Sequence, residues 1–344
     1  MSALNTSLFK ARTPVALAIM GCAFALLALS GVAFGSSWIP MDQVASVILG
    51  AGEKTQRLIV LQLRLPRVVI AALAGGGMAV AGYLLQKVTR NALASPSVLG
   101  VIDGAALGVV LFLALLSNES NTLIIPIGYQ PLAALAGAVL GITLVFLLSG
   151  RQSSSAVRLL LFGIAMAAVF KAMVMVLILI GPIYRASQAS RWLAGSVNEI
   201  NWSEIQITLV MLVPLLVMAV LAARKMPPAD LDEVSARSIG LNLPVFRIVI
   251  FALAAGLTAV SVAFVGGVGF IGLMAPHLAR LMVGRNVYAG LLGSFLLGAI
   301  MLVGADLIVR VLFSPVEVPA GTVTAVIGAP YFLFLLMSRQ RHDG

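Results

Sequence analysis

The sequence predicts an all-α, polytopic membrane protein of about ten transmembrane helices arranged as two inverted repeats. Three observations carry that prediction. Of 344 residues, 61% are hydrophobic and only 10% charged, with a mean hydropathy of +1.10. A soluble domain carries about 25% charged residues, so this chain cannot cover itself with a water-facing surface and must be solvated by lipid over most of its length. Apolar runs long enough to cross the hydrocarbon follow one another along the chain. Finally, one pattern occurs twice. Arg67-Val-Val-Ile-Ala-Ala-Leu-Ala runs on to Ser95-Pro96, and Arg247-Ile-Val-Ile-Phe-Ala-Leu-Ala runs on to Ala275-Pro276. The Arg, the Ala-Leu-Ala and the Pro keep one constant offset, as do Gly76 with Gly256 and Ala79-Val80 with Ala259-Val260.

A helix needs about 20 apolar residues to span the membrane. The candidates in order are 14–35, 65–86, 97–116, 130–149, 158–181, 203–223, 245–265, 270–285, 288–309 and 320–338. The first has a basic flank at Lys10 and Arg12 but is longer than the apolar core of a secretory signal. No clear small-x-small cleavage site follows it and many further spans come after it, so it reads as a retained helix. The eighth is short and carries Arg280 and Arg285. An odd number of spans separates the two copies of the repeat, which places them upside down relative to each other, a construction found in transporters. The whole of 1–344 is one transmembrane domain, with repeat halves at about 60–223 and 240–338.

Charge sets the orientation. With both termini cytoplasmic, Lys10, Arg12, Lys87, Arg90, Arg151, Arg158, Arg224, Lys225, Arg237, Arg247, Arg285, Arg339 and Arg341 fall inside, and fewer basic residues fall outside. The excess of Lys and Arg is therefore a topology signal rather than a nucleic-acid surface. Arg64, Arg67 and Arg310 go against the rule, because they sit at the outer ends of helices. Small-residue ridges at Gly100, Gly104 and Gly108 and at Gly137 and Gly141 predict close helix packing within one subunit.

Several chemistries are excluded. Cys22 is the lone cysteine, and His277 and His342 form no metal motif, so no metal site is expected. The run Gly50-Ala-Gly-Glu-Lys54-Thr55 lacks the Gly-Lys pair of a phosphate loop and no strand precedes it. No convergent catalytic set is visible and the chain reads as a transport subunit, not an enzyme. Energy for transport must come from an ion gradient or from a separate subunit. An ion-coupled carrier would need an acidic residue in the membrane, and only Asp103 and Asp306 qualify.

The longest cytoplasmic segment follows the sixth span. Pro227-Pro228 ends that span, Asp230 or Asp232 can cap a short helix, Gly240 can terminate it, and Pro244 begins the next span. A capped helix on the cytoplasmic face suits a docking element for a cytoplasmic partner.

At this point the residues resemble a known family. Arg64-Leu-Pro-Arg67, Arg90-Asn-Ala-Leu-Ala-Ser-Pro96, Leu99-Gly-Val, Ser235-Ala-Arg-Ser-Ile-Gly240-Leu, Gly269-Phe-Ile-Gly-Leu-Met-Ala-Pro-His277-Leu-Ala-Arg280, Gly304-Ala-Asp306 and Gly328-Ala-Pro330 are similar to the permease subunits of ABC importers for iron-siderophores, haem and cobalamin. The likeness runs in order over about residues 40–338. It implies a cobalamin-permease-like fold of ten helices, used as a dimer of two copies or of paralogues in the bacterial inner membrane. It also implies a cytoplasmic ATPase subunit carrying ATP and Mg, with no cofactor on this chain, and an extracytoplasmic substrate-binding protein. On the same resemblance, Ala229, Asp230, Leu231, Asp232, Glu233, Val234, Ser235, Ala236, Arg237, Ser238, Ile239, Gly240 and Leu241 dock into the ATPase. Arg64, Arg67 and Arg310 pair with glutamates on the binding protein.

Lys171 belongs to none of these motifs. It lies among apolar residues near the middle of the fifth span, where a charge costs at least ~2.5 kcal/mol and faces a cavity or a partner. It is expected to line the pathway with Met175, favouring an anionic cargo, to pair with a buried carboxylate such as Asp103, or to be buried as a neutral lysine. The expected function is ATP-driven import of iron-siderophore complexes, with haem or cobalamin import and ion-coupled secondary transport as alternatives.

Overall fold

In the computed structural model, residues 2–35, 38–117, 123–150, 156–181, 183–198, 200–229, 233–238, 240–314, 316 and 318–340 are described. The elements among them are helical: α1 (Ser2–Ala33), α2 (Met41–Ile48), α3 (Lys54–Arg57), α4 (Leu65–Val88), α5 (Val101–Leu115), α6 (Gln130–Ser149), α7 (Ala156–Ile180), α8 (Ile183–Ala194), α9 (Trp202–Ala223), α10 (Met226–Ala229), α11 (Glu233–Ser238), α12 (Leu243–Val265), α13 (Ile271–Val283), α14 (Val287–Leu312) and α15 (Ala320–Gln340). Among the described residues, seven helices are long and apolar enough to cross a membrane, and three shorter apolar ones lie at Val101–Leu115, Ile271–Val283 and Ala320–Leu333. Together they occupy the ten expected spans.

The second span starts earlier than its apolar run suggests. α3 continues through a π-helical stretch, Leu58–Arg64, directly into α4. Pro66 stands in the first turn of α4. Its ring lacks an N–H and crowds the carbonyl four residues before it. A wider π turn just upstream accommodates that defect without ending the helix. The third span starts later, because Pro96–Leu99 forms a 3₁₀ turn and Gly100, at φ +71°, then lets the chain enter α5.

α4 and α12, which carry the two copies of the repeat, run antiparallel. Leu84, Lys87 and Val88 at the end of α4 share a cleft with Leu243, Phe246 and Arg247 at the start of α12. Farther back on α4, Gly77 faces Ser261 near the other end of α12. Arg67 and Arg247 therefore stand at opposite ends of the bundle. α4 is the central helix. Nearly its whole length is buried, and its glycines let other backbones approach. A Cβ on Gly75 would overlap the Gly298 carbonyl of α14, and one on Gly82 would overlap the Gly272 carbonyl of α13.

The glycine ridges of α5 and α6 face each other, as their spacing predicts. A Cβ on Gly104 would lie 2.6 Å from the Gly137 carbonyl oxygen, and one on Gly141 would lie 3.1 Å from that of Gly100. In lipid, where burying apolar side chains gives no driving force between helices, close backbone approach is what holds such a pair.

α8 is an element that the apolar runs do not reveal. It turns back after α7 and ends within the bundle. There Gly195 (φ +74°) and Gly266 (φ +77°) bring two loops together. The N–H of Gly267 donates to the Trp192 carbonyl at 3.0 Å, that of Ser196 to Val265 at 2.8 Å, and that of Gly321 to Gly195 at 3.0 Å. The ends of α8 and α12 and the start of α15 are thus tied at one junction.

Candidate functional site

That junction forms one wall of a cavity of about 500 Å³. Ile102, Asp103 and Ala106 come from the first turns of α5, Lys171, Val174, Met175 and Ile178 from α7, and Trp192 and Leu193 from the end of α8. Gly267, Val268 and Gly269, between α12 and α13, complete it. The cavity is half-open, on the exposed face of α7; transporters place their substrates where helix ends meet, because broken helices expose dipole ends and backbone groups there. The lining is mostly apolar with one pair of charges, a composition suited to a bulky organic ligand.

Lys171 lines this cavity and also stands at ion-pair distance from Asp103. Its side chain is 72% exposed, toward the cavity, and its Nζ lies 3.8 Å from Oδ1 of Asp103. That is an ion-pair distance but longer than an N–H···O hydrogen bond. Asp103 sits in the first turn of α5, where the helix N-terminus favours negative charge. Met175, one turn after Lys171, is exposed beside it.

A second charged cluster stands at the Arg67 end. Asp306 of α14 is 1% exposed and holds two arginines at once: Arg67 through Nε and NH2, each 2.7 Å from Oδ1, and Arg310 through Nε, 3.0 Å from Oδ2. The Arg310 contact is off the line of a good hydrogen bond, so it is an ion pair by proximity. The rest of the Arg310 guanidinium caps α1, donating to the Gly31 carbonyl at 2.9 Å and, more weakly, to Phe34 at 3.4 Å. Arg64 does the same on the neighbouring carbonyls, Val32 at 3.1 Å and Ala33 at 2.6 Å. The last turn of α1 leaves these carbonyls without a partner inside the helix and partially negative, although that of Ala33 also accepts from the Ile39 N–H at 3.2 Å. Two guanidiniums thus satisfy a helix end that lacks a glycine cap. Gly31 and Gly35 keep room for them, since a Cβ on Gly35 would lie 2.9 Å from the Arg64 guanidinium. Arg67 is the most exposed of the three arginines, at 20%.

At the opposite end, Arg280 of α13 donates to Gln86 of α4 at 2.8 Å, and Gln86 donates to the Leu273 carbonyl at 3.1 Å. The segment after α9 carries α11, which ends as its glycine predicts. Gly240 has φ +80°, and the Leu241 N–H donates back to the Ala236 carbonyl at 3.0 Å, the bond that closes a left-handed helix terminus. Asn242 then caps α12 through its side chain, which accepts from the Val245 N–H at 3.3 Å. Ala236 is buried. Asp230, Leu231, Asp232 and Ile239 lie outside the described residues, as do the side chains of Ala229, Glu233, Val234 and Arg237.

Sequence reasoning missed Trp192, Leu193 and the Gly267–Gly269 wall. Gly195 closing a stretch of twelve residues was the one local signal, and α8 is too short and too polar to register as a span.

Three comparisons bear on this arrangement. The chain matches a family described as the FecCD transport family over residues 5–338. It is 41% identical over 322 residues to YfhA of Bacillus subtilis (strain 168), described as a probable siderophore transport system permease, with 94% of each chain covered. It is 36% identical over 337 residues to YfmE of the same organism, an Fe(3+)-citrate import system permease, covering 98% of this chain and 99% of that one. It is also 36% identical over 291 residues to HmuU of Yersinia pestis, a hemin transport system permease, covering 82% and 84%. A solved metal-chelate type ABC transporter in an inward-facing conformation superposes with a TM-score of 0.83 at 28% identity, over 94% of this chain and 99% of the other.

Proposed function

The chain belongs to the FecCD transport family, and on that premise we propose that it is the membrane-spanning permease of an ATP-driven importer for iron-siderophore complexes. The cavity at the junction of α5, α7 and α8 carries the reading, because it gives a bulky chelate a place inside an antiparallel, duplicated bundle. Lys171 and Met175 line the path. The two halves, about 60–223 and 240–338, rock against each other and turn the cavity from one side of the membrane to the other.

The same reading extends to the surrounding parts. The Arg67 end is extracytoplasmic. It gathers three arginines around one aspartate, with Arg67 the most exposed, an excess of positive charge suited to acidic side chains on a substrate-binding protein. The α11 segment, Ala229–Leu241, is cytoplasmic and docks into the ATPase subunit, which binds ATP and Mg; this chain binds no cofactor of its own. Both termini are cytoplasmic, and a second copy or a paralogue completes the pathway across the exposed face of α7.

The identity to a hemin permease supports haem as the second cargo reading. The test is ATP hydrolysis by the reconstituted complex of permease, ATPase and binding protein, measured across ferric siderophores, haem and cobalamin. Ferric siderophores are expected to stimulate hydrolysis most. Stimulation by haem or cobalamin alone would reassign the cargo.

A further inference from the structure

The pair at the cavity wall supports a more specific reading. Lys171 is well exposed, and its partner is 3.8 Å away, too far for a hydrogen bond. The amine therefore keeps its N–H donors for something else. Asp103 occupies the first turn of α5, where the helix N-terminus favours negative charge. Among the described residues, no other charged side chain lines the cavity. An ion pair whose cation is exposed to a cavity and whose contact is no hydrogen bond is suited to exchange.

Resting on the reading of this cavity as the pathway, we propose that Lys171 and Asp103 form an exchangeable pair that selects chelates of net negative charge. The amine leaves Asp103 for an anionic oxygen of the passing chelate and returns when the chelate departs. Asp103 has two effects. It cancels the charge of the empty cavity, so that small anions gain little by binding there. It also competes for the amine, which speeds release. Lys171 and Asp103 lie on different helices, α7 and α5, so the exchange also loosens a tie between them while cargo is present.

The proposal is tested with the complete complex in proteoliposomes and three ferric chelates of similar size: one anionic hydroxycarboxylate, one neutral trihydroxamate and one cationic trihydroxamate bearing a free amine. Wild type is expected to carry the anionic chelate best. Lys171→Met should lower the ratio of anionic to neutral uptake about tenfold, and Lys171→Arg should restore it. Asp103→Asn should lower the KM for the anionic chelate and lower kcat as well, because release slows. Uptake of all three chelates falling in equal proportion in Lys171→Met, or a wild type that prefers the cationic chelate, overturns the proposal. A separate measurement tests the pathway reading beneath it. Met175→Cys in a Cys22→Ser background should react with a water-soluble thiol reagent, at a rate that changes with nucleotide. If Met175→Cys is inert in every nucleotide state while the charge ratio still shifts, the pathway reading fails and Lys171 acts elsewhere.

Discussion

Removing the carboxylate of Asp306 tests the arginine cluster most sharply. In Asp306→Asn the volume is kept, but two part-buried guanidiniums lose the buried counter-charge they share, at 2.7 Å and 3.0 Å. Breaking a buried ion pair by deleting one partner costs ~3–5 kcal/mol. Two features hold the loss toward the lower end. Arg310 keeps the Gly31 carbonyl, and the new amide oxygen still accepts one hydrogen bond, worth ~1 kcal/mol. The expected loss is therefore about 3 kcal/mol. It is read as reversible unfolding in mixed micelles, followed by tryptophan fluorescence; Trp202 donates to the Leu61 carbonyl in the π segment and reports on this end of the bundle. Because the carboxylate is buried, the loss should change little between low and high salt. The triple replacement Arg67→Met, Asp306→Leu and Arg310→Met should recover most of the stability, since an apolar set can replace a buried charge cluster, while leaving the binding protein unable to dock. A loss below about 1 kcal/mol in Asp306→Asn would show that the cluster is solvated rather than buried, and the reasoning would fail.

Gly240→Val forces a β-branched residue to φ +80° and should cut coupled ATP hydrolysis and uptake while membrane insertion stays normal; unaltered uptake would remove the docking role of α11. Arg67→Glu should weaken the complex with the binding protein, with partial recovery when an acidic partner residue is reversed, and wild-type binding should weaken as salt rises. Gly104→Leu should separate α5 from α6, because its Cβ alone would lie 2.6 Å from the Gly137 carbonyl oxygen; yield and thermal stability of the purified subunit should fall, and unchanged values would mean the helices are not held by that approach.

Much of the fold was legible because lipid imposes simple rules. Apolar length located the ten spans, small-residue spacing located the α5–α6 seam, and the glycine at position 240 marked a helix end that the backbone confirms at φ +80°. The repeated Arg-to-Pro pattern implied antiparallel copies, and α4 and α12 run that way. What the sequence hid is tertiary or local in a way that hydropathy cannot register. The carbonyls that Arg64 grips lie 31 and 32 residues earlier and leave no mark in any side-chain pattern. The π stretch at Leu58–Arg64 is set by a proline downstream of it. α8, twelve residues with Arg191 in its last turn, resembles a loop until its end is seen tied to Val265 and Gly267. Lys171 was conspicuous as a charge in an apolar helix, but only the fold shows that it is both paired and exposed to a cavity.

The central claim is that ATP hydrolysis on a partner, not an ion gradient, moves a ferric chelate through this chain. The direct measurement is accumulation of radiolabelled ferric chelate in proteoliposomes holding the permease with its ATPase and binding protein. ATP and an imposed ion gradient are supplied separately. The account predicts uptake that requires ATP, persists when ionophores collapse every gradient, and disappears with Gly240→Val. Uptake that follows the ion gradient without ATP would contradict it.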